Sequence, residues 1–262
     1  MSRKLAAVIA TSTAAVLVFG SLIALAVGRS NPPQPTVASN VTPMSPTPTP
    51  TPTGGDTGPG KGGADPDKSP GTPVGNPTAA AAAGNKKVLF FSFDDGPDPV
   101  WTPRILQVLA KHGAHATFFE LGKMQAEHPG LREQILAAGN TIGSHSITHP
   151  QLTAIPAAKR HHEIFDGPTS KCFRPPYGAS NPKVRADIKA AGMVQVLWDV
   201  DPRDWARPGT QAIVNNILHH AHRRNIILMH DGGGERSQTV AALDKVLRIL
   251  KSQGYTFPAM NC

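Results

Sequence analysis

Residues 86–97 read KKVLFFSFDDGP: a short unbroken apolar run that ends in two adjacent aspartates and a Gly-Pro turn. The run has none of the in–out alternation of a half-exposed strand. It reads as a strand buried on both faces, the pattern of parallel strands covered by crossover helices. Its ending is less ordinary. Neighbouring carboxylates repel, and strand geometry aims successive side chains at opposite faces. A polar turn accounts for Asp and Gly in such a place. A strand that stops at something positive, such as a metal, accounts for the pair.

Outward from this stretch, strand-like and helix-like segments alternate. WTPRILQVLAKHGA (101–114) predicts a helix with Thr102 as its cap and Gly113 as its stop. ATFFEL (116–121) predicts a strand, PGLREQILAAGN (129–140) a helix and TIGSH (141–145) another strand end. MVQVLWDV (193–200), NIILMHD (225–231) and YTFPAM (255–260) supply further strands. Helices are expected in 180–192, 208–224 and 237–254. Strand then helix, repeated six or seven times, implies an α/β fold with parallel strands. The chain has no GxGxxG cradle to support a dinucleotide fold. Asp94, Asp95, His145, Arg174, Asp199, Asp201 and His230 instead fall at or just after the ends of different strands. A barrel gathers such ends on one face.

The rest of the chain is of another kind. Residues 1–27 carry Arg3 and Lys4 before an apolar run from Leu5 to Val27, the pattern of an export signal or an N-terminal membrane anchor. Ala24-Leu25-Ala26 suits cleavage, and both routes put the remainder outside the cytoplasm. Residues 28–84 are rich in Pro, Thr and Gly, with a Thr-Pro repeat, and read as a disordered linker without a core. Residues 85–262 have ordinary globular composition, with 21 Lys and Arg against 15 Asp and Glu. On an exported domain that excess favours anionic wall or surface glycans as partners. No basic stripe with interleaved aromatics points to nucleic acid. Export permits a disulfide between Cys172 and Cys262, provided the last strand closes beside the strand carrying Phe173.

The chemistry concentrates in five short segments. His145 and His149 in HSITH are four apart, so a helical turn or a tight loop aims both imidazoles at one point. With a carboxylate from a neighbouring strand end they make a two-histidine, one-carboxylate metal face. The aspartate pair then divides labour: one carboxylate binds metal while the other takes a proton from water. The turn at Gly96 is expected to release both side chains toward one cavity. Arg174, before Pro175-Pro176, is placed to orient a carboxylate by a bidentate pair. In WDVDPRDW, Trp198 reads as core and Trp205 as a flat wall for a sugar ring. His230 reads as a third ligand or, better, a general acid.

Together these blocks resemble the polysaccharide deacetylases of carbohydrate esterase family 4, which share the NodB homology domain, over Lys86 to Phe257. The resemblance implies a distorted (β/α) barrel of about seven parallel strands. It implies Asp94 as catalytic base, Arg174 as the residue holding it, His230 as general acid and Asp204 as the partner of that histidine. Asp95, His145 and His149 match the metal ligands, for one divalent ion: Zn2+, with Co2+, Ni2+ or Mn2+ as alternatives. The backbone N–H of Tyr177 matches the oxyanion donor, while Trp205 and Leu228 match walls of the groove and of the acetyl pocket. The implied reaction removes N-acetyl groups from a β-1,4-linked amino-sugar polymer, peptidoglycan or chitin-type. Removal of O-acetyl groups from xylan and non-catalytic wall binding are the alternatives. Two departures stand out: Ser92 replaces the commoner Thr, and the gap from His149 to Arg174 is short, which trims a crossover helix carrying His161 and His162 as surface residues.

Overall fold

The computed structural model describes residues 87–262. The export and linker readings for residues 1–27 and 28–84 lie outside the described residues. The chain forms β1 (Lys87–Val88), β2 (Phe90–Asp94), α1 (Trp101–His112), β3 (Ala116–Glu120), α2 (Gly122–Glu127), α3 (Pro129–Ala137) and β4 (Thr141–Ser144). It continues with α4 (Ala157–Phe165), β5 (Cys172–Phe173), α5 (Pro182–Ala190), β6 (Val194–Gln195), α6 (Thr210–His220), β7 (Ile226–His230), α7 (Ser237–Ser252) and β8 (Tyr255–Thr256). Six strands form one sheet in the order β6-β5-β4-β3-β2-β7, and β1 pairs with β8. Every pairing is parallel, as the helical crossovers require.

The sheet curls until its edges almost meet. Val194 pairs with Cys172 of β5, while Val200, six residues on, bridges to Ile227 of β7. The expected strand 193–200 therefore spans the gap between the two edges, but it holds a ladder only at its ends. Its middle carbonyls are taken by a side chain: Arg174 donates to Val196 O and Leu197 O at 3.4 and 3.2 Å. The result is a distorted, incompletely closed (β/α) barrel. The expected strand 255–260 is also shorter, ending at Thr256 just before Pro258. Pro258 has no N–H to give a ladder.

Alternation along β2 explains how one strand serves core and site. Phe91 and Phe93 face outward into the main core with Ile105 and Leu109 of α1, Ile213 and Ile217 of α6, and Leu247 of α7. Phe90, Ser92 and Asp94 face the barrel interior. Phe90 joins Phe119, Cys172, Val196 and Met260 in an apolar plug, and the column then turns polar toward its C-terminal end. Burying each such aromatic side chain contributes roughly 1.5–3 kcal/mol, so the plug is a firm floor for the polar residues above it.

α1 starts differently from its sequence reading. The Asp98 carboxylate, not Thr102, accepts the N–H groups of Val100 and Trp101 at 2.8 and 2.9 Å. Thr102 lies inside the helix, buried, and its hydroxyl donates to Asp231. The stop is as expected: Gly113 has φ 61°. The crossover α4 has nine residues, with His161 and His162 exposed. Cys172 and Cys262 are bonded, with Cα atoms 5.2 Å apart. β8 does not bring the cysteines together; the tail beyond it does. Met260 bonds to Thr117 and Thr141, and Cys262 O accepts from Lys171 N–H at 3.1 Å.

Candidate metal and catalytic site

The C-terminal ends of β2, β4, β5 and β7 bring the predicted residues together. Asp94 is the last residue of β2, with its side chain inside the barrel. Asp95 should point the other way, but its φ is 73°. This left-handed step, rather than the freedom of Gly96, returns its carboxylate to the cavity. The turn is clamped from behind. A Cβ on Gly232 would meet Asp95 O at 2.1 Å, and one on Gly96 would meet the Asp231 carboxylate at 2.3 Å.

The histidines come from a loop after β4. Ser146 and His149 adopt φ 70° and 62°, so the HxxxH spacing works through a tight turn instead of a helix. Glu163 of α4 holds that turn, accepting the N–H groups of Ile147 and Thr148 at 2.9 Å each. Ser146 Oγ accepts from His149 N–H at 3.0 Å. His145 Nδ1–H donates to Arg174 O at 2.6 Å, which leaves the Nε2 lone pair facing the cavity. Burial, the largest influence, pushes His145 down to about 3 and keeps it neutral, as a ligand must be.

Asp95 Oδ1 lies 3.4 Å from His149 Nε2 and 3.7 Å from His145 Nε2. Donors each about 2.1 Å from one ion sit roughly 3–3.5 Å apart, so the three atoms fit a single cation. They form a divalent metal-binding site. The Irving–Williams order makes such an N₂O set a site for several first-row metals, zinc among them.

Asp94 stands beside this cluster, with Oδ2 3.6 Å from His145 Nε2. Its Oδ1 accepts from Arg174 Nη1 at 2.6 Å, and that nitrogen also donates to Ser92 Oγ at 2.9 Å. The expected bidentate pair is absent: the other guanidinium nitrogens go to the Val196 and Leu197 carbonyls. Arg174 thus occupies one oxygen of Asp94 and leaves the second facing the metal ligands. Burial raises the Asp94 pKa, and the Arg174 charge opposes that rise.

His230 ends β7, with Nδ1 2.7 Å from Asp204 Oδ1. Asp204 Oδ2 accepts from His230 N–H and Thr239 Oγ1 at 3.0 and 2.7 Å. Burial disfavours charge on His230, but the Asp204 carboxylate outweighs it, aided by Asp94 and Asp95, and raises the imidazole to about 9. Among the described residues the metal cluster does not include His230. Tyr177, after Pro175-Pro176, has φ 60° and packs its ring edge on His149, with centroids 4.5 Å apart. Leu228 is buried on β7, Trp205 is 46% exposed, and Trp198 is half-buried, packed against the apolar plug.

Two residues here were not singled out from the sequence. Glu163 lies sixteen positions beyond Ile147 on a surface helix, and no local pattern announces it. Asp231 follows His230 directly, is fully buried, and has its pKa pushed up to about 8 by that burial. Adjacency to His230 was the signal available for it.

Comparison with known proteins gives a consistent picture. The profile of the polysaccharide deacetylase family matches residues 81–196. The peptidoglycan-N-acetylglucosamine deacetylase of Bacillus cereus is 43% identical over 187 residues, covering 68% of this chain and 88% of the relative. The chitooligosaccharide deacetylase of Sinorhizobium fredii is 35% identical over 187 residues, covering 64% and 87%. The solved structure of peptidoglycan deacetylase PdaC from Bacillus subtilis aligns with TM-score 0.61 and 35% identity, covering 67% of this chain and 88% of that one. Sequence profile, relatives, fold and metal site agree, and the chain belongs to the polysaccharide deacetylases of carbohydrate esterase family 4, the enzymes built on the NodB homology domain.

Proposed function

We propose that this chain is a metal-dependent hydrolase that removes N-acetyl groups from a β-1,4-linked amino-sugar polymer outside the cytoplasm, with peptidoglycan N-acetylglucosamine as its substrate. The observation that carries this reading is the meeting, on one cavity, of a three-donor metal cluster with the Asp94 carboxylate, one oxygen of which Arg174 leaves open, and with His230, raised by the Asp204 carboxylate. Relatives named for peptidoglycan and chitooligosaccharide deacetylation support the substrate class.

A divalent cation held by Asp95, His145 and His149 supplies Lewis acidity, polarising the acetamide carbonyl and acidifying water near neutral pH. The chain's own groups do the rest. Asp94, through the oxygen that Arg174 leaves open, accepts the proton of the attacking water. The Tyr177 N–H, which has no protein acceptor among the described residues, donates to the oxygen that becomes negative as water adds to the carbonyl carbon. His230, kept protonated by Asp204, gives its proton to the nitrogen as the C–N bond breaks. Acetate and a free amine result. Trp205 and Leu228 serve as walls for the sugar and the acetyl methyl.

Residues 1–27 serve in this reading to export or anchor the enzyme, and 28–84 as its tether. Acetate release from N-acetylglucosamine polymers and from peptidoglycan tests the proposal. Asp94→Asn is expected to lower turnover roughly 10²–10⁴-fold with metal content retained. No acetate release from the native, metal-loaded chain would sink it.

A further inference from the structure

The short turn of helix at Asp204–Ala206 that carries Trp205 is flanked by Arg203 and Arg207, at φ 58° and 54°. Arginine gains nothing from left-handed backbone, which glycine or asparagine adopts at lower cost. A non-glycine residue held there costs of order 1–3 kcal/mol, so these side chains are retained for what they do. Both are exposed, and among the described residues neither forms a close salt bridge; the Glu235 carboxyl, held down first by Ser237, also feels the Arg207 charge. The Arg203 guanidinium stacks 5.2 Å from the Trp205 ring centroid, and its N–H is held by Asp201 Oδ1 at 2.7 Å. Asp204, one residue from the ring, grips His230. The indole, with the Arg203 guanidinium over it, is therefore fixed one residue from the carboxylate that grips His230, and the exposed Arg207 follows two residues beyond the ring.

We infer that Arg203 and Arg207 are specificity-determining residues that select glycan strands bearing carboxylates over neutral ones. The inference rests on the deacetylase reading above and names the substrate feature that reading leaves open. A neutral polymer of N-acetylglucosamine offers a sugar face to Trp205 but nothing to a guanidinium. A strand whose alternate sugars carry an acidic ether or peptide substituent offers a carboxylate near a sugar seated on the indole. Guanidinium recognises a carboxylate with paired, charge-assisted hydrogen bonds that lysine does not reproduce.

The test uses the full-length, metal-loaded protein and three probes: N-acetylglucosamine hexamer, peptidoglycan strands, and the same strands with carboxylates methyl-esterified. The readouts are kcat and KM for acetate release, and equilibrium binding measured separately. In the double variant Arg203→Gln/Arg207→Gln, the preference for acidic over neutral strands in kcat/KM should fall about tenfold, mainly through KM. Esterified strands should bring the native protein to the variant's preference, and Arg203→Lys/Arg207→Lys should recover only part of it. An unchanged preference, or equal losses on acidic and neutral strands, would overturn the inference. Should the native chain release no acetate, the deacetylase reading fails, and binding of acidic against esterified strands still decides whether the arginines select charge.

Discussion

At the residue scale, the aspartate pair is resolved by one dihedral angle. Strand alternation separates Asp94 from Asp95, and the left-handed Asp95 reunites them on one cavity. The pairing was legible in the sequence; its geometric cause was not, because any residue before a Gly-Pro turn reads as turn. His230 and Asp204 show a different division. The family resemblance implied their partnership, whereas the residues alone did not, because the 2.7 Å contact depends on a fold that brings a loop to the end of β7. In the proposed role that contact sets a pH dependence. As general acid His230 would donate its proton only while charged, so catalysis should be present below its raised pKa and be lost as pH rises through it, near 9. A cation beside Asp95 cancels part of the aspartates' share, which makes about 9 the upper bound for that limb. In Asp204→Asn the main influence raising the pKa is gone, while burial still lowers it. The alkaline limb of the kcat–pH profile should therefore move to lower pH, with metal content unchanged. A limb that stays in place would remove Asp204 from this role.

At the element scale, α1 and α7 were read to within two residues because they bury clean apolar faces against the sheet, whereas α6 stops four residues before its expected end and the short α2 was not expected. The edge segment 193–200 was read as one continuous strand but holds a ladder only at its ends, because its middle carbonyls are taken by the buried Arg174, and side-chain substitution for a ladder leaves no trace in local pattern. The junction of β2 with β7 is where elements meet the site most tightly. Asp231 and Gly232 both donate their N–H groups to Asp94 O, and Gly232 lies against the Asp95 carbonyl. Gly232→Ala forces a Cβ into backbone that has no side-chain slack. The variant should lose about 1–3 kcal/mol of stability and bind metal more weakly, because the Asp95 turn is what must move. Thermal unfolding and metal titration check this together. Native metal affinity in a folded Gly232→Ala protein would show that the clamp does not position Asp95.

At the scale of the whole molecule, unusual backbone is concentrated where chemistry is proposed. Of the described non-glycine residues at positive φ, Asp95, Ser146, His149 and Tyr177 surround the metal cluster and Arg203 and Arg207 flank Trp205; Arg224, in a turn bonded to Val88 O, is the exception among them. Such strain persists only when the surrounding structure over-determines it, and here the restraint reaches the opposite end of the barrel. There the chain end crosses β3 and β4 through Met260 and is fastened to β5 by the Cys172–Cys262 bond, two residues from Arg174. Export made that bond permissible in the sequence, but the tail's path was not legible because it forms no regular element. The bond closes a loop spanning 90 positions, and loss of such a cross-link typically removes about 2–4 kcal/mol. Cys172→Ala/Cys262→Ala should lower the midpoint of thermal unfolding accordingly, as should reduction of the native protein. Turnover at 25 °C should fall no more than a few-fold, because Arg174 is held independently by Asp94, Ser92 and the Val196 and Leu197 carbonyls. Alkylation of the native, non-reduced protein should label neither cysteine. Collapse of turnover in a variant still folded at the assay temperature would mean that the bond, rather than the guanidinium's own contacts, positions Arg174 on Asp94.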